Sequence, residues 1–316
     1  MVWIGAEFPY PCRLSAEAVL ANAPDAELEI HVLGKSPTGH AFQGLFSRQH
    51  GDADRVSLHE VNAERLLGPV LTRVFRRIPP HARSAQSNLL RLALLHQRGG
   101  IYLDFDTFLL RPLHDAAPGA FIGRERVWRH DRRRVEQGLR PTMLPGAAGW
   151  GATWALKRLD TQVLRGAGQL SGRLGRVDGR FHGTQANNAV IGAPAGSEFT
   201  GRLLEDCRWV DPTVRYSLGP TLVEDIATAA PSAVTVLPTE VLYPVPPSES
   251  HRFFDDRRLV LPDATAVVHY VSSNHRRVVA SVVPGDRRFG RPEIFWRLAG
   301  AMDVRCSMPA LHLESL

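Results

Sequence analysis

The sequence contains little cysteine. Its three cysteines, Cys12, Cys207 and Cys306, lie far apart and form no CxxC pair and no zinc-ligand spacing. This pattern excludes a disulfide-rich scaffold and a cysteine-based zinc site. A low, odd number of thiols is typical of proteins from reducing compartments, so we expect a cytoplasmic protein.

Long hydrophobic runs are also missing. No apolar stretch approaches the roughly 18 residues that a membrane-spanning helix needs. Residues 1–7 lack the basic and apolar regions of a secretory signal peptide. We therefore expect no transmembrane segment, while contact with a membrane surface stays open.

Lysine is nearly absent, so positive charge comes from arginine. Of the 38 Lys+Arg residues only Lys35 and Lys157 are lysines, and the net charge is +6. Two stretches, residues 124–140 and 276–291, are rich in arginine. Such stretches bind phosphate, nucleic acid or an anionic membrane, or they form a solvated surface. They lack the interleaved aromatic residues of single-strand binders, so we expect no nucleic-acid partner.

The opening of the chain predicts an α/β fold. Apolar runs at residues 2–5, 29–33 and 56–61 are typical of strands, and the alanine- and leucine-rich residues 15–23 are typical of a helix. Strands that alternate with helices build a sheet that the helices cover. We find no internal repeat and no linker, which favours a single domain.

The clearest local pattern is a helix followed by a strand that ends in two acidic residues. The helix is predicted from Ser84, its N-cap, to Arg98, and the glycine pair at 99–100 ends it. The apolar run after these glycines ends in Asp104 and Asp106. Residues two apart in a strand share a face, so the two carboxylates are expected on the same side.

Two neighbouring carboxylates at the end of a buried strand indicate a cation site. Burying them without a cation is costly, and carboxylate oxygens suit Mg²⁺ or Mn²⁺, which often complete their ligands with phosphate. Arg91 and Asn88 lie three residues apart on the preceding helix and so share a face. Arg91 is expected to bind phosphate or a sugar hydroxyl, or else to form a salt bridge that fixes Asp104. The alternative for the pair itself is a solvated strand end.

These residues resemble a known family. Ser87-Asn-Leu-Leu-Arg91 followed by Gly99-Gly-Ile-Tyr-Leu-Asp-Phe-Asp106 is similar to the DXD-motif sugar transferases of the glycosyltransferase family 32 type. This family includes yeast-type initiating α-1,6-mannosyltransferases, bacterial capsular sugar transferases and, more distantly, clostridial glucosylating toxins. Weaker resemblances lie at residues 2–5, 187–192, 218–220, 242–244 and 269–275.

The resemblance implies a GT-A fold, in which one Rossmann-like mixed sheet is flanked by helices. It implies one domain over residues 1–316, with a nucleotide-sugar-binding half at 1–115 and an acceptor-side half at 116–316. The basic stretch 124–140 would belong to a variable helical or loop insertion that faces the acceptor.

The resemblance also implies an activity. A hexose or N-acetylhexosamine would pass from a nucleotide-sugar donor, UDP-sugar favoured over GDP-sugar, to a glycan, natural-product or peptide acceptor. The transfer would retain the anomeric configuration and would use Mn²⁺ or Mg²⁺.

Site residues follow from the same resemblance. The implied catalytic residues are Asp104, Asp106 and Arg91. The implied metal ligands are the two aspartates, with His269 or His275 as the late residue that completes the metal site, for which Asn274 is a further candidate. The implied donor contacts are Trp3, Ile4, Asn88, Arg91, Tyr102, Asp104, Asn188 and Asn274. Trp3 and His269 have a simpler alternative, which is packing in the core.

The sequence departs from the family pattern at two places. Asn88 stands where the family has an aspartate that contacts the donor sugar, so the identity of the sugar is in doubt. The closing loop 269–275 lacks the family's Ser-Trp pair.

Other functions fit less well. A haloacid-dehalogenase-like phosphatase also carries a strand that ends in DxD, but its motif requires Thr or Val where this chain has Phe108. A Rossmann oxidoreductase lacks support because no GxGxxG follows a strand. A non-enzymatic basic binding protein has only the net charge in its favour.

Overall fold

The computed structural model describes residues 1–46, 53–128, 182–254 and 260–282. The strands are β1 Val2–Ile4, β2 Leu28–Leu33, β3 Val56–Val61, β4 Gly100–Leu103, β5 Thr107–Leu109, β6 Phe121–Trp128, β7 His182–Ala193, β8 Thr235–Leu237 and β9 Val267–His269. The helices are α1 Tyr10–Asn22, α2 His40–Gln43, α3 Ala63–Arg77, α4 Arg83–Arg98, α5 Glu198–Asp206, α6 Pro220–Ala229, α7 Thr239–Leu242 and α8 Arg276–Ser281.

The first three strands form a parallel sheet in the order β1-β2-β3. Its two faces are buried in different hydrophobic clusters. Val2 packs in the cluster that residues of α3 and α4 share, whereas Ile30 and Val32 pack in the cluster to which α1 contributes. Burial on both faces is typical of a parallel sheet whose connections are helices. The predicted α/β fold class is confirmed.

The remaining strands form two further groups. A four-stranded sheet has the order β4-β7-β6-β8, and β5 pairs with β9 in a two-stranded antiparallel ladder. In the described part of the chain the strands are thus hydrogen-bonded in three groups rather than in one continuous sheet. The β5–β9 pairing matters most for the site, because it aligns Thr107 with His269 directly after the DXD motif.

Several local predictions differ from the structure. Helix α4 begins at Arg83 without a side-chain cap, so Ser84 lies inside it and is not the N-cap. Thr239–Leu242 is a short helix, although the apolar residues at 241–244 would also suit a strand. Pro238 precedes that helix, and its fixed φ of −56° suits a helix start. The last helix, expected at 292–301, lies outside the described residues.

The basic stretch 124–140 is also different from the expectation. Residues 124–128 belong to strand β6, which pairs on one side with β7, so they are not part of an insertion. Arg124 forms an ion pair with Glu224 of α6. Residues 129–140 lie outside the described residues. Within the described part no helix is both long enough and apolar enough to span a membrane.

Candidate active site

The glycine pair between α4 and β4 reverses the chain at the site. Gly99 and Gly100 have φ values of 70° and 101°, which favour glycine. A Cβ at Gly99 would also lie 2.6 Å from the backbone nitrogen of Ala195. The tight turn lets β4 pair with β7 and returns the chain beside its own helix. As a result the residues after β4 lie against the inner face of α4.

Arg91 is the centre of the contacts on this side. Its Nη2 donates to Asp104 Oδ1 at 2.8 Å and its Nη1 donates to Asp104 Oδ2 at 3.1 Å, which is a bidentate ion pair. Nη1 also donates to the carbonyl oxygen of Asn188, and Nε and Nη2 donate to Ser87. The guanidinium lies 4.3 Å from the centre of the Tyr102 ring. Arg91 therefore fixes Asp104, as one of the two sequence interpretations expects.

Asp104 is held from two sides. Tyr102 donates its hydroxyl to Oδ1 at 2.8 Å, in addition to the pair with Arg91. Burial raises the pKa of Asp104, Arg91 opposes that rise, and the charge of Asp106 adds to it. For Arg91 burial alone would lower the pKa, but Asp104, Tyr102 and Asp106 together raise it.

Asp106 lies among residues from the other end of the chain. Its Oδ2 accepts hydrogen bonds from the backbone N–H and the hydroxyl of Ser272, both at 2.9 Å. Its Oδ1 faces Nε2 of His269 at 3.4 Å. Burial favours the neutral acid, but His269 and Ser272 more than compensate and lower the pKa of Asp106 to about 2. Asp106 is therefore an ionised carboxylate with one oxygen only loosely engaged.

His269 has its charge set by surrounding carboxylates. Burial would lower its pKa, but Asp106, Glu125 and Asp104 raise it to about 9. Its Nδ1 is buried and has no hydrogen-bond partner among the described residues. The Tyr243 ring lies 6.0 Å away, edge to face. His269 thus acts as the cation beside the carboxylates, and it is not an ordinary core histidine.

Two residues of this site were missed by the sequence reasoning. Glu125 is buried on β6. Burial raises its pKa, and His269 and Asn187 oppose part of that rise. It was counted only as one charge within an arginine-rich stretch, so no signal set it apart. Ser272 lies within the closing segment that was singled out for its histidines, and its spacing of three from His269 could have identified it.

The two asparagines expected at the donor contact each other. Asn188 Nδ2 donates to Asn88 Oδ1 at 2.8 Å, and both side chains are largely buried. Gly219 leaves room for them, because a Cβ there would lie 2.6 Å from Asn88 Nδ2 and 3.3 Å from Asn188 Nδ2. The structure therefore joins α4, β7 and the start of α6 at one point beside Arg91.

Trp3 and Ile4 lie at the end of β1. The Trp3 ring packs edge to face on Phe105, the middle residue of the DXD motif, at 5.5 Å between centroids. Its Nε1 donates to the carbonyl oxygen of Gly5 at 3.1 Å. Ile4 is partly buried against the cluster that includes α4. Trp3 is thus a direct neighbour of the motif while staying partly exposed.

Asn274 and His275 contact a different segment. His275 Nε2 lies 2.8 Å from Ser250 Oγ, and its ring packs on Phe254 at 4.8 Å. Asn274 Nδ2 donates to the carbonyl oxygen of Pro247 at 3.3 Å. Of the late candidates, His269 is the one that the structure places against a DXD carboxylate.

The described residues do not form a complete metal cage. They contain no group of three or more His, Cys, Asp or Glu side chains placed to hold a metal ion. Asp106 Oδ1 and His269 are the donors with the most free capacity, because both oxygens of Asp104 already accept from Arg91 and one also accepts from Tyr102.

Comparison with known proteins supports this picture at the level of the family. Residues 49–128 match the model of the glycosyltransferase sugar-binding region containing a DXD motif. The DXD segment of this chain is similar to that family model. The matched residues include α4, the glycine pair and both aspartates. Comparison with curated proteins gives no match.

Three of the solved structures that match this chain carry glycosyltransferase names. A galactosyltransferase, LgtC, solved with donor and acceptor sugar analogues, is 16% identical, covers 95% of this chain and 95% of its own, and has a TM-score of 0.42. The PaToxG glycosyltransferase is 15% identical over 72% of this chain and 67% of that one, with a TM-score of 0.42. The UDP-bound glycosyltransferase domain of the YGT toxin is 10% identical over 75% and 78%, with a TM-score of 0.37.

Proposed function

We propose that the protein transfers a hexose or an N-acetylhexosamine from a nucleotide-sugar donor to an acceptor, with Mn²⁺ or Mg²⁺ bound at the DXD motif. The observation that carries this proposal is the unequal pair of carboxylates. Asp104 is locked by Arg91, while Asp106 is ionised, partly open and loosely paired at Oδ1. Asp104 would offer an oriented carboxylate to such a metal ion, and Asp106 would offer an oxygen that is only loosely paired with His269.

The donor atoms fit such an ion in part. Asp106 and Asp104 would hold it, and His269 would join them after losing its proton, because only a neutral imidazole binds a metal. The incomplete set agrees with a hard cation that takes its other ligands from water and phosphate. Such an ion neutralises charge on the departing diphosphate.

The chain's own residues would position the donor. Trp3 lies beside Phe105 with its ring partly exposed and offers a stacking surface for the base. The paired amides of Asn88 and Asn188 would face the sugar. Arg91 would act by holding Asp104, because the contacts of its Nε, Nη1 and Nη2 are all to protein acceptors.

The finer parts of the proposal rest on the family resemblance of the DXD segment. We infer a GT-A type of site, retention of the anomeric configuration, a UDP-sugar donor in preference to a GDP-sugar, and a glycan, natural-product or peptide acceptor. A cytoplasmic location agrees with the small number of cysteines.

The phosphatase alternative is disfavoured by the geometry of Asp104. A nucleophilic aspartate needs a free oxygen. Asp104 instead accepts two hydrogen bonds from Arg91 and one from Tyr102.

Titration calorimetry tests the proposal. UDP and GDP are titrated into the protein with Mn²⁺, with Mg²⁺ and with EDTA, and donor hydrolysis is then followed over a panel of UDP- and GDP-sugars. We expect UDP to bind only with a metal ion and one or a few UDP-sugars to be hydrolysed. Equal nucleotide affinity in EDTA would refute the metal bridge, and phosphate release from a phosphomonoester would favour the phosphatase.

A further inference from the structure

Strand β7 contains a bulge at the site. The register with β6 pairs Ile122 with Ile191 but Gly123 with Asn187. The three residues Asn188, Ala189 and Val190 therefore have no partner on β6. Bulges re-aim side chains and are frequent beside active sites. Their unpaired backbone groups need other partners, because buried N–H and C=O groups are almost always hydrogen-bonded.

Two of these backbone groups are hydrogen-bonded to residues of α4 and the DXD motif. The carbonyl oxygen of Asn188 accepts from Arg91, and the carbonyl oxygen of Ala189 accepts from the backbone N–H of Asp104 at 2.8 Å. The bulge also directs the side chain of Asn188 to Asn88. The bulge is thus the joint between α4, the DXD motif and β7, and its shape sets the relative positions of all three.

Two side chains from outside the DXD motif accept hydrogen bonds from the N–H groups of Ala189 and Val190. Asn187 Oδ1 accepts from the N–H of Ala189 at 2.7 Å, and the hydroxyl of Tyr243 accepts from the N–H of Val190 at 2.9 Å. Glu125 hydrogen-bonds the Asn187 side chain from β6. Tyr243 is almost completely buried, so no water would replace its hydroxyl without a rearrangement.

Gly123 makes room for this arrangement. A Cβ at Gly123 would lie 2.8 Å from Leu242 Cδ1 and 2.9 Å from Tyr243 Cε2. Gly123 stands where the register shifts, so the absence of its side chain lets the Tyr243 ring lie across β6 and reach Val190.

We propose that Tyr243 is a positioning residue for the transfer reaction, which acts by holding the β7 bulge that orients the Asn188 side chain, paired with Asn88, toward the donor sugar. This inference rests on the proposed function. Tyr243 touches neither the sugar nor the metal in this proposal. Its removal should therefore affect the reaction of the sugar and leave binding of the nucleoside diphosphate intact.

Tyr243→Phe is the primary test because it deletes a single oxygen. We expect faster hydrogen exchange at the Val190 amide and a fall in kcat for donor hydrolysis of roughly 10- to 100-fold, the cost of a misplacement of about 1 Å. The affinity for UDP with Mn²⁺ should stay unchanged. Gly123→Ala pushes the ring away from Val190 and should show the same split between kcat and UDP affinity.

Asn62→Ala is the matched control. Asn62 Oδ1 accepts one backbone N–H, that of Arg65 at 3.0 Å, at the start of α3, so its loss lowers stability by the same kind of contact. We expect this variant to melt earlier but to keep the wild-type kcat. An equal fall in kcat in Asn62→Ala, or wild-type kcat in Tyr243→Phe, would overturn the proposal.

Failure of the proposed function would be recognised separately. It would appear as a wild-type protein that binds no UDP and hydrolyses no UDP-sugar. Hydrogen exchange needs no activity, so an unchanged Val190 amide in Tyr243→Phe would refute the hold on the bulge in either case.

Discussion

Asp104 and Asp106 are two residues apart, yet the regions around them are built differently. Asp104 lies in a local region, where α4 and β4 bring Arg91 and Tyr102 to it from fewer than 14 positions away. Asp106 lies in a long-range region, where His269 and Ser272 come from the end of the described chain. Both oxygens of Asp104 accept hydrogen bonds, whereas Oδ1 of Asp106 is only loosely paired with His269. Within one motif, Asp104 is thus mainly part of the local structure, while Asp106 is the acid that is more available for chemistry.

The largest effect is expected on activity at the second acid. Asp106→Asn should lower donor hydrolysis by more than 100-fold, in line with loss of a metal ligand or its support. Its stability should fall by only about 2 kcal/mol, the value of its lowered pKa. Enzyme assays and thermal melting test this. Asp115→Asn, an exposed site with a side chain 91% accessible, is the control and should change neither. If Asp106→Asn were strongly destabilised as well as weakly active, the proposed difference between the two aspartates would be wrong.

Beside Asp104 we expect the opposite, a large effect on stability. Arg91→Met leaves Asp104 buried without its partner, which costs about 3–5 kcal/mol of unfolding free energy. Chemical denaturation measures it. The control is Arg76→Met, because the ion pair of Arg76 with Glu64 is exposed, at 67% and 66%, and is worth at most about 1 kcal/mol. Equal losses in the two variants would show that Asp104 does not depend on Arg91.

The pair of Asp106 and His269 predicts a pH window for stability. The pKa of His269 is raised to about 9, so its contribution is complete below the unfolded value of 6.5 and is lost as the pH rises toward 9. The pKa of Asp106 is lowered to about 2, so its contribution is present above 3.8 and is lost as the pH falls through 2. Both contributions to stability are therefore complete only between pH 3.8 and pH 6.5.

Denaturation of wild type and His269→Gln from pH 5 to 9 measures the basic side of that window. The difference between the two proteins should shrink by about 3 kcal/mol between pH 6.5 and 9, the equivalent of the shifted pKa. A difference that is constant with pH would mean that His269 is neutral in the folded protein.

The smallest effect is expected at Asn88. A carboxylate can accept the same hydrogen bond from Asn188 that Asn88 accepts, so Asn88→Asp should fold, with a lower melting temperature because the added charge is buried. Its stronger acceptor should change the ranking of donor sugars by a few-fold each. A panel of UDP-sugars measures this, with Asn62→Asp as the control at a helix cap. A uniform change over all sugars would show that residue 88 does not contact the sugar.

Sequence determined the local half of this site. The helix pattern, the glycine pair and the DXD strand lie within residues 83–106, so spacing and side-chain type predicted a salt bridge to Asp104 as one of two roles for Arg91, and the structure shows that bridge. The expected N-cap, Ser84, was wrong by two residues, because the helix starts after Ala82, which has no capping side chain. The identity of His269 as a partner of the motif was also suggested, since the closing segment resembles that of the family.

Tertiary structure alone decided the rest. Glu125 is an ordinary residue in the sequence, and Tyr243 lies in a segment that only weakly resembles the family. The pairing of β6 with β7 and the helix at 239–242 bring both residues to the site. The separation of His275 from His269 depends on a contact with Ser250 that no spacing encodes. The physical reason is the range of the interactions. Turns and helix faces follow from neighbouring residues, while a bulge, a buried amide pair and a shared carboxylate depend on which distant segments pack together.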